Sequence, residues 1–248
     1  MSSGNKGAPQ AKKRQKKTQI NSIYDAKDMN DLRAYLNGRN ISMSNDLDDL
    51  KFGEVRDAMA GALYVMDEFG IQGYLQEFCV GKAGVMSASH NGRISFNKKY
   101  FKDGTDDLSV VMNKPGSSFH PKNQNAFTTA SHEAGHILES YIIKKELGIL
   151  NNPSPDIYSQ IESSNAWSKS KYTKQIISKA SASAKKEYKK QQGNTPTIEN
   201  MIADVSGYAT KNRSECFAEC IADYVANGDN ASILSKEVWK YTKNYFGK

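Results

Sequence analysis

Two histidines stand four residues apart in the stretch TTASHEAGHILES, residues 128–140, with a glutamate beside the first. His132-Glu133-Ala134-Gly135-His136 fits the pattern H-E-x-x-H. On a helix, positions i and i+4 lie about 40° apart, so both imidazoles leave one side, one turn from each other. That spacing lets two ring nitrogens reach a single Zn²⁺ at ~2.0–2.1 Å. A glutamate next to the first ligand can reach a metal-activated water and act as general base. The bland reading of the same letters is two histidines on the surface of an ordinary helix.

A helical wheel weighs the two readings. With His132 at 0°, His136 falls at about 40° and Glu139 at about −20°. Phe127, Ala130, Ala134, Ile137, Leu138 and Tyr141 gather on the opposite side. The expectation is a helix with an apolar back on the core and its histidines directed outward, toward a cleft. Gly135 costs roughly 1 kcal/mol in mid-helix relative to alanine, which is tolerable where something must approach closely.

A catalytic zinc takes three protein ligands and keeps one position open. His90 adjoins a predicted hairpin turn and reads as a solvent-exposed histidine. His120 precedes Pro121 in a loop and is a poor candidate. The stretch SECFAECIADYV is a better source. With Glu215 at 0°, Glu219 and Asp223 fall at about 40° and 80°, with Phe217, Cys220, Ile221 and Tyr224 behind them. One of these acids could ligate a metal, and another could accept a hydrogen bond from a ligand histidine. Cys216 or Cys220 would also suit zinc, although such a set is less usual for hydrolysis than two histidines and a glutamate. A solvated acidic stripe is the bland alternative.

HEAGH, followed much later by YATKNRSECFAEC, resembles the gluzincin protease domain of anthrax lethal factor and its relatives. It is similar also to metalloprotease-like domains of bacteriophage minor head and prophage proteins. The resemblance covers roughly residues 50–225. It implies a mostly helical, zincin-like α+β fold and a zinc-dependent endopeptidase. It implies that His132, His136 and Glu215 are the zinc ligands and Glu133 the base. It further implies that Glu219 supports the ligands and that Tyr208, seven residues before Glu215, is a catalytic tyrosine. The stretch NGRISFNKKYF is similar to the family's edge strand, beside which a protein or peptide substrate would lie extended over residues 93–100. Phage structural proteins are the other partners implied. The lysine-rich stretch at 168–190 has no counterpart in the resemblance.

These residues need elements to hold them. AKDMNDLRAYLNGR reads as a short helix ending near Gly38, and DLDDLKFGEVRDAMAGALYVMDEFG as a longer one stopped by Gly70. GVMSASH and RISFNKKYF, joined by Asn91-Gly92, predict a β-hairpin over about 84–100 with a two-residue type I′ turn. LQEFCV is a further strand candidate, and 102–122 reads as loop. From about residue 124 the pattern is helical. GILNNPSPD breaks it, a lysine-rich helical insertion follows over about 156–192, and Thr195-Pro196 would open the next helix. The expected class is α+β: a single domain over 21–248, with a small sheet preceding the HExxH helix.

The net charge is +7. Residues 1–20 carry six basic side chains and no acid, leaving +1 for the rest. That tail is too poor in apolar residues to offset the entropy of ordering, and weak nucleic-acid contact through it is one alternative function. The near-neutral body argues against that as the main role. A second alternative is an assembly-only or non-catalytic phage head protein with a metalloprotease-like fold. No apolar run approaches the ~20 residues of a membrane span, and the amino terminus has no apolar signal core. The expected location is cytoplasmic, or virion-associated if the protein is phage-encoded. The cysteines, Cys79, Cys216 and Cys220, are an odd number and read as reduced.

Overall fold

In helix α2, Phe52–Phe69, the buried residues Val55, Met59, Leu63, Met66 and Phe69 recur at helical spacing. The helix stops at Gly70, whose φ of 69° is the left-handed C-cap that glycine adopts freely. The computed structural model describes residues 21–114, 120–150 and 171–248. The expected basic tail and the first part of the lysine-rich insertion lie outside these. A short helix α1, Met29–Gly38, precedes α2 and is capped by Asp28.

Four short strands are present: β1 Ser42–Met43, which the sequence pattern did not mark, and β2 Glu77–Gly81, β3 Met86–Ser89 and β4 Arg93–Asn97, which lie where strands were expected. They form one mixed sheet in the order β1-β2-β4-β3. β2 runs parallel to β4, and β3 antiparallel to it. The strand expected to be the edge, β4, is therefore interior. The outer strand is β3, and among the described residues no strand pairs with its far side.

The hairpin also turns differently. Ser89 pairs with Arg93, so three residues and not two make the loop. Only Gly92 has a positive φ, 82°, whereas a type I′ turn needs two such residues. The carbonyl of Tyr74 explains the glycine: a Cβ on Gly92 would fall 2.0 Å from it. Residues expected to continue β4 instead wind into a helical turn, α3, Lys98–Phe101, and part of the expected loop is helix α4, Leu108–Met112, capped by Asp107.

Helix α5, Ala126–Glu146, carries the HExxH residues, and Asn125 and Thr128 cap it reciprocally. It is buried on nearly every side, polar positions included. The expected front holds in part: His132 and Glu133 line a cleft, but another helix also packs against the histidine side. α6, Lys171–Gln192, and α7, Ile198–Val205, follow; the cap of α7 is Thr197, two residues beyond the expected Thr195. A 3₁₀ turn, Tyr208–Thr210, leads into α8, Arg213–Asn227, and α9, Ile233–Tyr245, closes the fold. α2 and α8 both pack along α5, and α9 packs on α6 and α8. The architecture is mostly helical α+β, and no described helix is long and apolar enough to cross a membrane.

Two glycines set the helix spacing. A Cβ on Gly61 of α2 would lie 1.9 Å from the Phe127 carbonyl oxygen of α5. A Cβ on Gly135 would meet the Ala218 Cα of α8 at 3.0 Å. Gly135 thus has the close neighbour that its cost called for.

Charge is more segregated than a net +1 body suggests. Helix α6 holds seven lysines against one acid, Glu187. Outside α6 and residues 1–20 the chain is therefore net −5.

Candidate metal centre

Three donor atoms from two helices converge where α5 and α8 touch. His132 Nε2 and His136 Nε2 are 3.1 Å apart. Glu215 Oε2 lies 3.4 Å from the first and 3.2 Å from the second. His132, His136 and Glu215 form a cluster that could hold a metal ion. Glu215 Oε2 is buried with no aligned hydrogen bond of its own, a costly state for a carboxylate oxygen unless positive charge, on a metal ion or on the facing imidazoles, offsets it.

Local structure explains the convergence. His132 and His136 sit one turn apart on α5, held against α8 by the absence of a side chain on Gly135. Glu215 is in the first turn of α8, where Asn212 Oδ1 accepts from its backbone N–H at 2.9 Å. A negative side chain is favoured at that end of a helix.

Glu219, one turn further, carries the next layer. Its Oε1 lies 2.8 Å from His132 Nδ1, a charge contact and not an aligned hydrogen bond, and 3.2 Å from His120 Nδ1. Its Oε2 accepts from Ser206 Oγ at 2.7 Å. Ser206 Oγ in turn accepts from the N–H of Ala209 at 2.9 Å, tying the Tyr208 turn to the site. The Tyr208 hydroxyl donates to Glu215 Oε1 at 3.2 Å and accepts from Lys211 Nζ at 3.1 Å. Asp223, the third acid of the predicted stripe, points elsewhere: it accepts from the N–H of Ser232 at 2.9 Å at the start of α9.

Glu133 lines a cleft of about 260 Å³ together with His120, His132, Tyr208, Tyr100 and Met86. Met86 opens the outer strand β3, so the free sheet edge borders the cleft. His120, a poor candidate by sequence, is thus part of the site wall, though not one of the three donors. His90 is half-buried rather than exposed. Burial, then the nearby Lys144 and His136, push its pKa down to about 3. Cys216 and Cys220 are free and fully buried in the core, which removes them as ligands. Sequence reasoning also missed Ser206, Ser214 and Thr173, which hold the carboxylates; short hydroxyl side chains follow no period that would mark them.

The imidazoles and carboxylates of the site shift one another. Burial works against charge on every member, but mutual contacts override it. His132, beside Glu215 and Glu219, is raised well above the usual histidine value. His136 is raised to about 9 by Glu139 and Glu215. Glu215, facing both imidazoles, is held well below the usual carboxylate range, and Glu219, facing His120 and His132, is lowered to about 2. Both shifts favour protonated imidazoles at neutral pH in the metal-free protein. A metal ligand must be neutral imidazole, so binding displaces those protons. Calorimetry in buffers of differing ionisation heat should record about two protons released per metal ion at pH 7. Apparent affinity should rise with pH and lose the His136 contribution above about pH 9. Release close to zero would contradict this account. No family model, no curated protein and no solved structure matches the chain.

Proposed function

We propose that the protein is a zinc-dependent endopeptidase of zincin-like fold, with His132, His136 and Glu215 holding the metal. The observation that carries the reading is the donor triangle, with sides of 3.1, 3.2 and 3.4 Å. Donors ~2.0–2.1 Å from a tetrahedral zinc stand about 3.3–3.4 Å apart. Two imidazoles and one carboxylate are also the donor set of hydrolytic zinc sites. When bound, zinc would acidify a water and polarise the substrate carbonyl.

The chain's own residues supply the rest. Glu133, in the cleft wall, takes the proton of the attacking water and passes it to the leaving amine nitrogen as the C–N bond breaks. Tyr208 exchanges its bond to Glu215 for one to the carbonyl oxygen, where negative charge develops. Lys211 Nζ, 3.1 Å from the Tyr208 hydroxyl, keeps that hydroxyl facing outward as a donor. The substrate adds as an extended strand along β3, the outer strand at the cleft, in place of the 93–100 edge expected from sequence.

Metal content tests the reading directly. Wild-type protein loaded with zinc and desalted should retain about one zinc per chain, as the one such triangle among the described residues requires. Glu215→Ala should retain none under the same wash, while its far-ultraviolet circular dichroism stays that of the wild type. A wild type that holds no zinc, or a Glu215→Ala variant that holds it as firmly, would sink the assignment.

A further inference from the structure

We infer that Thr173, on the lysine-rich helix α6, is a positioning residue for the metal centre, acting through Glu139 and Ser214 on His136. The inference rests on the zinc reading above. Thr173 Oγ1 donates to Glu139 Oε1 at 2.5 Å. Ser214 Oγ donates to Glu139 Oε2 and lies 3.2 Å from His136 Nδ1. Thr173 and Glu139 are each 2% exposed and Ser214 8%, so water does not readily replace any link.

The directions of these bonds are forced. Threonine and serine hydroxyls each have one proton, and both are given to the Glu139 carboxylate. With its proton committed, Ser214 Oγ can only accept from His136. It therefore takes the hydrogen of Nδ1. In the neutral ring that ligation needs, Nε2, the atom facing Glu215 Oε2 at 3.2 Å, is then left with its lone pair toward the metal position. One chain of hydroxyl and carboxylate fixes both the ring orientation and the tautomer that ligation needs. Glu139 is the junction, and α5, α6 and α8 each contribute one member besides His136. Without Thr173, one oxygen of a buried carboxylate loses its donor, and the side chain has reason to turn away from Ser214.

Helix α6 is the segment for which the resemblance offers no counterpart. Thr173 gives it a role: it closes the support of a ligand contributed by another helix.

The experiment is competition for zinc against a chromophoric chelator at one pH, using full-length wild type, Thr173→Val and Thr173→Ser. Valine keeps the shape and removes the donor. Zinc affinity should fall roughly 10- to 100-fold in Thr173→Val and return toward wild type in Thr173→Ser. The visible spectrum of the cobalt(II)-loaded protein should shift in Thr173→Val alone, which a loss of packing elsewhere would not produce. Wild-type affinity and spectrum in Thr173→Val, or equal losses in both variants, would overturn the inference while leaving the zinc reading intact. A wild type that takes no zinc would overturn both. Should Thr173→Val fail to fold, Ser214→Ala makes the same comparison on the other arm: a similar loss is expected, and unchanged affinity counts against the chain.

Discussion

A Glu133→Gln variant should bind zinc as the wild type does and cleave peptide bonds roughly 10²- to 10⁴-fold more slowly. Glutamine keeps the shape and the hydrogen-bonding reach of the side chain but cannot shuttle a proton. Glu133 is not among the three converging donors, which are His132, His136 and Glu215. Its loss should therefore leave metal content and thermal midpoint unchanged, separating chemistry from folding. The measurement is single-enzyme digestion of an unfolded protein mixture read by mass spectrometry, with zinc stoichiometry determined on the same samples. Cleavage at the wild-type rate in the variant would remove Glu133 from the mechanism.

Gly61→Ala should be among the most damaging single changes far from the metal. The added methyl would sit 1.9 Å from a backbone oxygen of α5, and a carbonyl within a helix cannot rotate aside. α2 and α5 must separate, which also strains the bond from Ser131 Oγ to the Gly61 carbonyl, now 3.2 Å. Overpacking of this kind costs at the upper end of roughly 1–3 kcal/mol. For a domain of this size that lowers the thermal midpoint by roughly 6–12 °C. Gly53, on the same helix, is the control: a Cβ there meets nothing within 4 Å. Gly53→Ala should be neutral or gain up to about 1 kcal/mol from helix propensity. Equal midpoints for the two variants would show that the α2–α5 contact is not what limits packing.

The contrast between these glycines bears on what could be read from letters alone. Helices α2, α5 and α8 were legible because apolar residues recur along them at helical spacing and Gly70 marks an end. The HExxH spacing and the acids of α8 were legible because ligand geometry itself imposes a period. The sheet order was not: β2 lies beside β4 and not β3, a choice made by long-range pairing that leaves no local trace. That choice moved the open edge from 93–100 to 86–89. The α5 wheel set the histidines toward a cleft, yet could not say that α8 would cover part of that side. Residues acting singly were hidden too. Thr173, Ser206 and Ser214 matter only because tertiary structure brings each beside a carboxylate, and His120 gains its place only because a loop returns to Glu219.

The metal position draws its donors from residues 79 apart in the chain, His136 and Glu215. A ribosome adding roughly 5–20 residues per second needs about 4–16 s to cover that interval. During it, α2 and α5 can already pair, because Gly61 and Phe127 have both emerged. The nascent protein then carries two imidazoles and no carboxylate to complete them. In the proposed reading, a growing chain holds zinc weakly and cannot cut itself or its neighbours. Competence arrives only when α8 slides in over Gly135.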